Sequence, residues 1–325
     1  MNRPAHVLLF HTAVDAYDGR GLRMFGLTYV GAFVFAALFS YPVYLAFQSL
    51  GAGFPEETFR GWLAEQALYR ISDRLRLVAA LLGTLWLIGY AGLWGNFGFS
   101  GNGRMRSFLA WLVLGIGMLA IPLGLQLLTG ESVLKPDLDG ARVVGVIAGA
   151  IATAVIVSFL EESIFRGMLL RLFATALRPW PAIFFSALVF AAVHFKSVRW
   201  MRDIEPSWLA SLKLSGASFL APVLTFDLVL LTNLLLVGLV LNLLFWRSGN
   251  LIACFGLHAG WVLAQRIAVG LFEGRETPWS PLLGSPLVTD GALAIILVGG
   301  LALILWCDSV GRPLRLRLAE VKGAP

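Results

Sequence analysis

The chain has 325 residues, of which 58% are hydrophobic and only 14% are charged, and its mean hydropathy is +0.80. A soluble domain carries about 25% charged residues, so this chain cannot cover itself with a polar surface, and a water-soluble globular fold is excluded. The net charge of +6 does not indicate a nucleic-acid partner, because basic residues in the loops of a membrane protein set its orientation. The composition therefore predicts a protein embedded in membrane lipid.

Eight runs without a charged residue follow one another along the chain. Each is about long enough to cross a ~30 Å hydrocarbon core as a helix, whereas an outer-membrane barrel shows alternating segments of about ten residues. We therefore predict an all-α, polytopic membrane protein with about eight transmembrane helices and the catalytic core in the later spans. The runs are Met24–Pro55, Leu77–Gly103, Ser107–Gly130, Val143–Leu160, Pro179–Phe195, Leu228–Trp246, Ser248–Gln265 and Gly291–Cys307.

These runs divide the chain into four expected segments. Residues 1–23 form a cytoplasmic N-terminal segment, 24–142 hold the first spans, 143–265 form the core, and 266–325 hold the last span and a basic tail. A modest excess of arginines on the side of the termini leads us to expect both termini in the cytoplasm. The first apolar run is too long for a cleavable signal peptide and is interpreted as a membrane anchor. The two cysteines both fall inside spans and predict neither a disulfide framework nor a CxxC metal site.

Two connections between spans carry a pattern of their own. After the first span, Phe59, Trp62, Leu63 and Leu68 recur at roughly helical spacing and predict an amphipathic helix at the membrane surface. The segment 196–218, between the fifth and sixth spans, is favoured as a flexible loop, with a lid or a substrate-docking element as the alternative.

The stretch SFLEESIFRG, residues 158–167, places two carboxylates and an arginine at the end of an eighteen-residue run without a charge. Residues four apart share a helix face, so Glu162 and Arg166 are predicted to pair, while Glu161 points about 100° further round and is left to act as a base. The alternative is that both acids lie at the helix end near water, with Arg166 as an interfacial anchor.

Ionisable groups within spans are costly and are usually functional or paired. Asp227 and Asn233 lie six residues apart and do not share a tight helix face, so structural hydrogen bonding between helices is favoured over catalysis for both. His194 alone is explained by a bond to a carbonyl near a helix end, whereas helix packing explains the glycines beside His258 but not the histidine itself. The whole set consists of Glu161, Glu162, Arg166, His194, Asp227 and His258.

Glu161, His194 and His258 lie on three predicted helices at depths that allow them to meet. Two histidines and a glutamate could bind a divalent metal such as zinc, whose water attacks a carbonyl. Alternatively, Glu161 and one histidine activate water directly while the other histidine stabilises the oxyanion. Both routes predict amide hydrolysis inside the membrane, and the cofactor is left open. The small residues Gly256 and Gly260 beside His258 predict a close helix approach.

Three motifs in order resemble those of the CAAX prenyl endopeptidase type II family, also called the CPBP or Abi family of intramembrane proteases. EESIFRG is similar to EExxxR, FAAVH (190–194) to FxxxH, and VGLVLNLLFWRSGNLIACFGLHAGW to a third block in which a histidine follows an Arg-Ser/Thr-Gly turn. The resemblance covers about Val143 to Ala264. It implies a protease that acts on a membrane-associated protein or peptide, lipidated substrates included.

The resemblance also implies a role for each motif residue. Glu161 matches the glutamate that activates water, with His194 as its partner, and His258 matches the histidine of the oxyanion site. Glu162 and Arg166 are supporting residues.

One position departs from the family pattern. The family has an asparagine four residues after the third-motif histidine, where this chain has Val262, and a missing oxyanion donor costs roughly 3–4 kcal/mol of transition-state stabilisation. Gln265 is the first candidate to replace it, and Asn233 and Asn242 are others.

The leading hypothesis is therefore an intramembrane endopeptidase. The second is a catalytically weak or inactive relative that binds a peptide or partner, as an immunity or regulatory protein does. A proton-coupled transporter is a third, although paired broken helices and repeated halves are not seen in the sequence. Haem ligation by two membrane histidines is a fourth.

Overall fold

The structure is a computed structural model that describes residues 7–9, 12–14, 19–90, 104–195, 198–284 and 291–310. It is built mainly from helices, which are α1 Arg20–Gly51, α2 Phe59–Ala64, α3 Leu68–Tyr90, α4 Arg104–Thr129, α5 Gly140–Glu162, α6 Leu170–Ala176, α7 Pro179–Ala192, α8 Trp208–Leu224, α9 Leu228–Ser248, α10 Leu251–Leu271, α11 Ser280–Leu283 and α12 Ala292–Val310. A π-helical segment, Ser163–Leu169, joins α5 to α6, and a short 3₁₀ turn covers Arg199–Met201. Two antiparallel strand pairs complete the description: β1 Val7–Leu9 with β2 Thr12–Val14, and β3 Ser132–Leu134 with β4 Phe272–Gly274.

The helices confirm the predicted all-α membrane fold. Each of the eight uncharged runs overlaps a helix, and five helices in the described residues are long and apolar enough to cross a bilayer: Arg20–Gly51, Arg104–Thr129, Gly140–Ala174, Leu228–Ser248 and Leu251–Leu271. The number of eight spans is not confirmed. Helix α7 has 14 residues, or about 21 Å of rise, and α3 carries four charged residues in its first half. The chain is thus an integral membrane protein.

Helix α8 corrects one expectation. The segment 196–218 was favoured as a loop, but its second half is helical from Trp208 onward. The hydroxyl of Ser207 accepts a hydrogen bond from the backbone N–H of Ala210 and caps the helix start. Lys213, in the middle of an otherwise apolar stretch, shortens the uncharged run and so hides the helix from a search for such runs.

Two further expectations are refined. The amphipathic pattern after the first span belongs to two elements, because α2 ends at Ala64 and Leu68 is the first residue of α3. Asp227 is exposed at the start of α9, where its carboxylate caps the helix by accepting from the backbone N–H of Leu230. Asp227 therefore has the structural role that was favoured, but it acts within one helix and not between helices.

The described residues form two compact units. One unit contains α1, α2, α3 and α8. In it, Thr28 of α1 lies against Gly83 of α3, and the rings of Phe33 in α1 and Phe219 in α8 meet edge to face at 5.3 Å. The guanidinium of Arg76 in α3 lies 5.2 Å from the Phe33 ring centroid. Aromatic packing therefore brings these three helices together.

The other unit contains α4, α5, α6, α9, α10, α11, α12 and all of α7 but its last residue. In this unit, α4 and α10 approach each other closely. A Cβ atom added at Gly256 would lie 2.4 Å from the carbonyl oxygen of Phe108, and one at Gly260 would lie 2.4 Å from that of Leu112. Any larger side chain would separate the helices. The predicted close approach at these glycines is thus confirmed.

Helices α5 and α10 pack antiparallel along their whole length. Val146, near the start of α5, lies against Gly270, near the end of α10. Near the other end of the pair, the rings of Phe159 and Phe255 meet at 6.2 Å. This register brings the end of α5 to the first half of α10, where the motif residues lie.

Candidate active site

His258 is positioned by a tight connection between α9 and α10. Gly249 closes α9 in the left-handed conformation, with φ of 60°, which glycine adopts without a steric penalty. The side chain of Asn250 then accepts a hydrogen bond from the backbone N–H of Ile252 and caps α10. His258 follows two turns later, about 12 Å along α10. The Arg-Ser-Gly turn of the third motif thus fixes how far His258 lies inside the helix.

Glu162 is the centre of a buried cluster of three side chains. Its Oε1 atom accepts from Nη1 of Arg166 at 2.9 Å and lies 2.8 Å from Nδ1 of His258. Glu162 is 1% exposed, Arg166 0% and His258 6%. The predicted pairing of Glu162 with Arg166 is confirmed. The contact between Glu162 and His258 was not predicted, because the sequence pattern directed Glu161 toward the histidines.

Arg166 contacts several groups of its own unit, while its Nε atom is buried without a hydrogen-bond partner among the described residues. Its Nη2 atom donates to the carbonyl oxygen of Gly238 in α9 at 3.3 Å. Its guanidinium lies 4.7 Å from the ring centroid of Phe190, the first residue of the FxxxH motif. The absent side chain at Gly238 lets α9 approach α7, since a Cβ atom there would lie 3.0 Å from Cα of Ala187. Arg166 is therefore a buried link between α5, α7 and α9, and the alternative of an interfacial anchor is wrong.

Glu161 lies on the other side of the imidazole. Its Oε2 atom is 3.8 Å from Nε2 of His258, and its side chain is 25% exposed, whereas that of Glu162 is 1% exposed. An ionised Glu162 carboxylate only accepts hydrogen bonds, so the short contact puts a hydrogen on Nδ1 of His258 and leaves Nε2 facing Glu161. The two adjacent glutamates thus bracket one histidine, and only Glu161 is partly accessible.

The remaining predicted residues are placed as follows. His194 lies two residues beyond the end of α7, is half-buried and belongs to the unit that contains α8. Val262 and Gln265 are half-buried on α10, one and two turns after His258. The side-chain nitrogen of the buried Asn242 donates to the carbonyl oxygen of Ile183 at 2.9 Å, so this candidate donor already links α9 to α7. The roles of His194 and Gln265 stay predictions.

Two groups of the cluster were not found from the sequence. The carbonyl of Gly238 has no side-chain signature, although a lone glycine in an apolar helix indicates close packing. Phe190 was quoted as a motif residue without a role. Its ring lies edge-on to Phe165 at 5.0 Å and 6.3 Å from the His258 ring, and it thereby shields the cluster.

A catalytic metal centre would need at least three side-chain ligands at this site. The described residues contain no group of three or more His, Cys, Asp or Glu side chains placed to hold a metal ion. Glu162 and Nδ1 of His258 are bound to each other, which leaves Nε2 and a Glu161 oxygen as the facing pair of candidate ligands. Two ligands fall short of the three that a catalytic zinc site uses, so the described side chains do not make up such a site.

The comparison with family models gave a match inside the chain. Residues 143–264 match the model for type II CAAX prenyl endopeptidase Rce1-like proteins. This segment is Rce1-like. The resemblance drawn from the three motifs is thereby confirmed over a segment that is under half of the 325 residues. Comparisons with curated proteins and with solved structures gave no match.

The Rce1-like segment contains the whole buried cluster. It begins three residues into α5 and ends inside α10, and it includes the π-helical segment and the turn between α9 and α10. π-helical segments are rare and are frequent at functional sites. The buried ion pair, the histidine between two carboxylates and the π-helical segment therefore mark one candidate active site inside the membrane-embedded part of the chain.

Proposed function

We propose that this protein is an intramembrane endopeptidase that hydrolyses a peptide bond in a membrane-associated protein or peptide, lipidated substrates included. The observation that carries the proposal is the buried His258 between Glu161 and Glu162, inside a segment that is Rce1-like. Ionisable groups this deep in a membrane protein are expensive and are usually functional. The membrane lipid brings a hydrophobic substrate to the site, so the partners are lipid and a membrane peptide.

Glu161 is the proposed base of the reaction. It is the more accessible of the two carboxylates, and it is not held by the arginine that binds its neighbour. A water molecule next to Glu161 loses a proton to the carboxylate while its oxygen forms a bond to the substrate carbonyl carbon. The electron pair of the carbonyl double bond moves to the carbonyl oxygen. When that pair returns, the C–N bond breaks and the proton passes from Glu161 to the leaving amine.

Glu162 and His258 have separate proposed roles. Glu162, held by Arg166, fixes the ring of His258 through Nδ1. Because Nδ1 already carries the hydrogen that binds Glu162, Nε2 of His258 donates to the oxyanion only when the ring has taken up a second proton and is an imidazolium. The assignment of His194 as the partner of Glu161 rests on the resemblance of FAAVH to the FxxxH motif.

The test is cleavage of a membrane-peptide library by the purified full chain in detergent. The wild type is compared with Glu161→Ala and with Glu273→Ala, a matched control in which an exposed glutamate of β4 is removed. Cleavage by the wild type and the control, together with loss of cleavage in Glu161→Ala, supports the endopeptidase and identifies its substrate class. Equal cleavage by all three variants contradicts the proposed base and indicates a contaminating protease.

A second candidate function is favoured by Val262, the aliphatic residue where the family has an asparagine. In that case the same site binds a membrane peptide without cleaving it, as a regulatory or immunity protein does. Retention of library peptides by a folded wild type that cleaves none of them supports this second function. Cleavage that depends on Glu161 rejects it.

A further inference from the structure

Helix α2 carries an exposed aromatic pair, Phe59 and Trp62, at the end of the lipid-facing surface of α1. Exposed apolar side chains recur along α1 as far as Leu50, one residue before that helix ends. Beyond this point, the rings of Phe59 and Trp62 stack at a centroid distance of 5.8 Å, and the two residues are 74% and 40% exposed. Exposed aromatic side chains on a short helix of this kind are typical of the boundary between the hydrocarbon core and the lipid headgroups.

Close packing holds α2 on the end of α1. A Cβ atom added at Gly51, the last residue of α1, would lie 2.5 Å from the carbonyl oxygen of Arg60 in α2. The Nε2 atom of Gln48 in α1 donates to the carbonyl oxygen of Ala64, the last residue of α2, at 2.6 Å. These contacts at both ends of α2 fix the position of the aromatic pair relative to α1.

The guanidinium of Arg74 is brought to the aromatic pair from α3. Its Nη1 atom donates to Oε1 of Gln66 at 2.8 Å, and its Cζ atom lies 5.5 Å from the ring centroid of Trp62. Gln66 is 2% exposed and is itself fixed, because its Nε2 atom donates to the carbonyl oxygen of Trp62 at 3.0 Å. The side chain of Arg74 thus runs back toward the start of α3, as arginines do when they bring their charge to a membrane boundary.

Arg74 is an exposed cation whose fixing partner is neutral. The group that binds it is the amide of Gln66, and it forms no ion pair among the described residues. Arg70, one turn earlier, differs, because its Nε atom donates to the hydroxyl of Tyr69 at 3.0 Å. This bond raises the pKa of the Arg70 guanidinium, and the nearby Glu65 carboxylate adds to the rise. The positive charge of Arg74 is therefore left for an anionic ligand.

Arg60 adds a second cation at the same surface. Its Cζ atom lies 4.8 Å from the ring centroid of Phe54, which is 44% exposed. Glu56 and Glu57, before the start of α2, form no ion pair with Arg60 or Arg74 among the described residues. The surface thus presents guanidinium groups next to exposed apolar rings, a pattern that fits the headgroup and the upper acyl region of a lipid at once.

We propose that Arg74 binds the phosphate diester of a membrane phospholipid, while Phe59 and Trp62 insert between the upper parts of its acyl chains. The planar guanidinium presents a fork of N–H groups that matches phosphate oxygens, and Gln66 holds this fork in place before the lipid arrives. A phospholipid is the occupant that unites both features, because its phosphate lies next to its acyl chains, as Arg74 lies next to the aromatic pair. This inference does not depend on the proposed function.

Native mass spectrometry of the purified full chain tests the site. Dioleoylphosphatidylglycerol is titrated into the detergent-solubilised protein, and a galactolipid with the same acyl chains and no phosphate is the control ligand. Arg74→Gln is expected to weaken phosphatidylglycerol binding about 10- to 100-fold, because a hydrogen bond to a charged group is lost, and to leave galactolipid binding unchanged. The matched control Arg70→Gln is expected to change either affinity less than threefold. Phe59→Ser is expected to weaken both lipids equally.

Two results overturn the proposal. One is a phosphatidylglycerol affinity that Arg74→Gln leaves unchanged, or that Arg70→Gln lowers by the same factor. The other is displacement of the lipid by an equal concentration of glycerophosphoglycerol, the same headgroup without acyl chains, because the site would then bind a free phosphate ester.

A second readout uses bilayers and does not depend on binding in detergent. The chain labelled with ¹⁵N at its arginines is placed in phosphatidylglycerol bilayers, and solid-state NMR measures how strongly lipid ³¹P dephases the guanidinium signals. Arg74→Gln is expected to remove more of the dephased signal than Arg70→Gln does. Equal losses in the two variants, each shown by circular dichroism to be folded, overturn the assignment of Arg74.

Discussion

Replacing Arg166 by methionine tests the energetic role of the buried cluster. The substitution keeps a long apolar stem and removes the guanidinium, which bonds Glu162 at 2.9 Å and the Gly238 carbonyl at 3.3 Å and lies over Phe190. Glu162 then keeps His258 as its only hydrogen-bond donor among those shown in the described residues. Its negative charge, 1% exposed, loses the arginine that compensates it.

The magnitude follows from the burial of the pair. Removing one partner of a buried ion pair costs about 3–5 kcal/mol, because the remaining charge is left without compensation. We therefore expect Arg166→Met to lower the free energy of unfolding by about that amount. Adding Glu162→Gln removes the uncompensated charge, so the double variant should recover part of the loss, with a coupling energy of about 2 kcal/mol or more. Unfolding in mixed detergent micelles, followed by circular dichroism, measures Arg166→Met, Glu162→Gln and the double variant against the wild type.

Arg247→Met is the matched control, because Arg247 forms an ion pair with Asp308 in which the two side chains are 24% and 38% exposed. An exposed pair contributes roughly 0–1 kcal/mol. If Arg166→Met costs no more than Arg247→Met, or if Glu162→Gln restores nothing, the buried cluster is not a stabilising unit and the reasoning is refuted.

Three further predictions follow from other parts of the structure. Gly260→Ala should destabilise the protein by about 1–3 kcal/mol, because its Cβ atom would lie 2.4 Å from the carbonyl oxygen of Leu112. The control Gly117→Ala should be neutral in the same unfolding assay, because a Cβ atom there meets nothing within 4 Å. Cleavage should persist after dialysis against a chelator, because the described residues bring no three candidate metal ligands together; loss of activity that zinc restores would contradict the metal-free mechanism. Fluorescent-protein fusions at both termini should fluoresce in cells, as expected for cytoplasmic termini, and a dark fusion at either end would reverse that assignment.

The fold class could be predicted because the uncharged runs are long and the physics of lipid allows few solutions. In a bilayer, backbone groups must be satisfied internally, so long apolar runs become helices. The number of spans could not be read in the same way. Helix α8 was missed because Lys213 interrupts its apolar sequence. Helix α7 has only 14 residues, about 21 Å of rise, although its run is uncharged. Charge patterns locate helices, but helix length and tertiary position decide which of them span.

The candidate site was predictable as far as helix periodicity reaches. Spacing along one helix gave the Glu162–Arg166 pair, because residues four apart share a face. It could not decide which of the two glutamates bonds His258, since that depends on the rotation of α5 against α10. The packing of Val146 on Gly270 and of Phe159 on Phe255 sets this rotation, and no periodicity within α5 encodes it.

The π-helical segment Ser163–Leu169 explains how successive residues at the end of α5 can bond two different helices, α10 and α9. Glu162, the last residue of α5, meets α10 through His258, whereas Arg166, inside the segment, reaches α9 through the Gly238 carbonyl. The backbone N–H of Leu170 bonds the carbonyl of Phe165, five residues earlier, so this turn holds one residue more than an α-helical turn. The extra residue rotates the following side chains relative to those of α5. Arg166 can therefore bond Glu162 and the backbone of α9 at the same time, while Glu162 bonds His258 of α10.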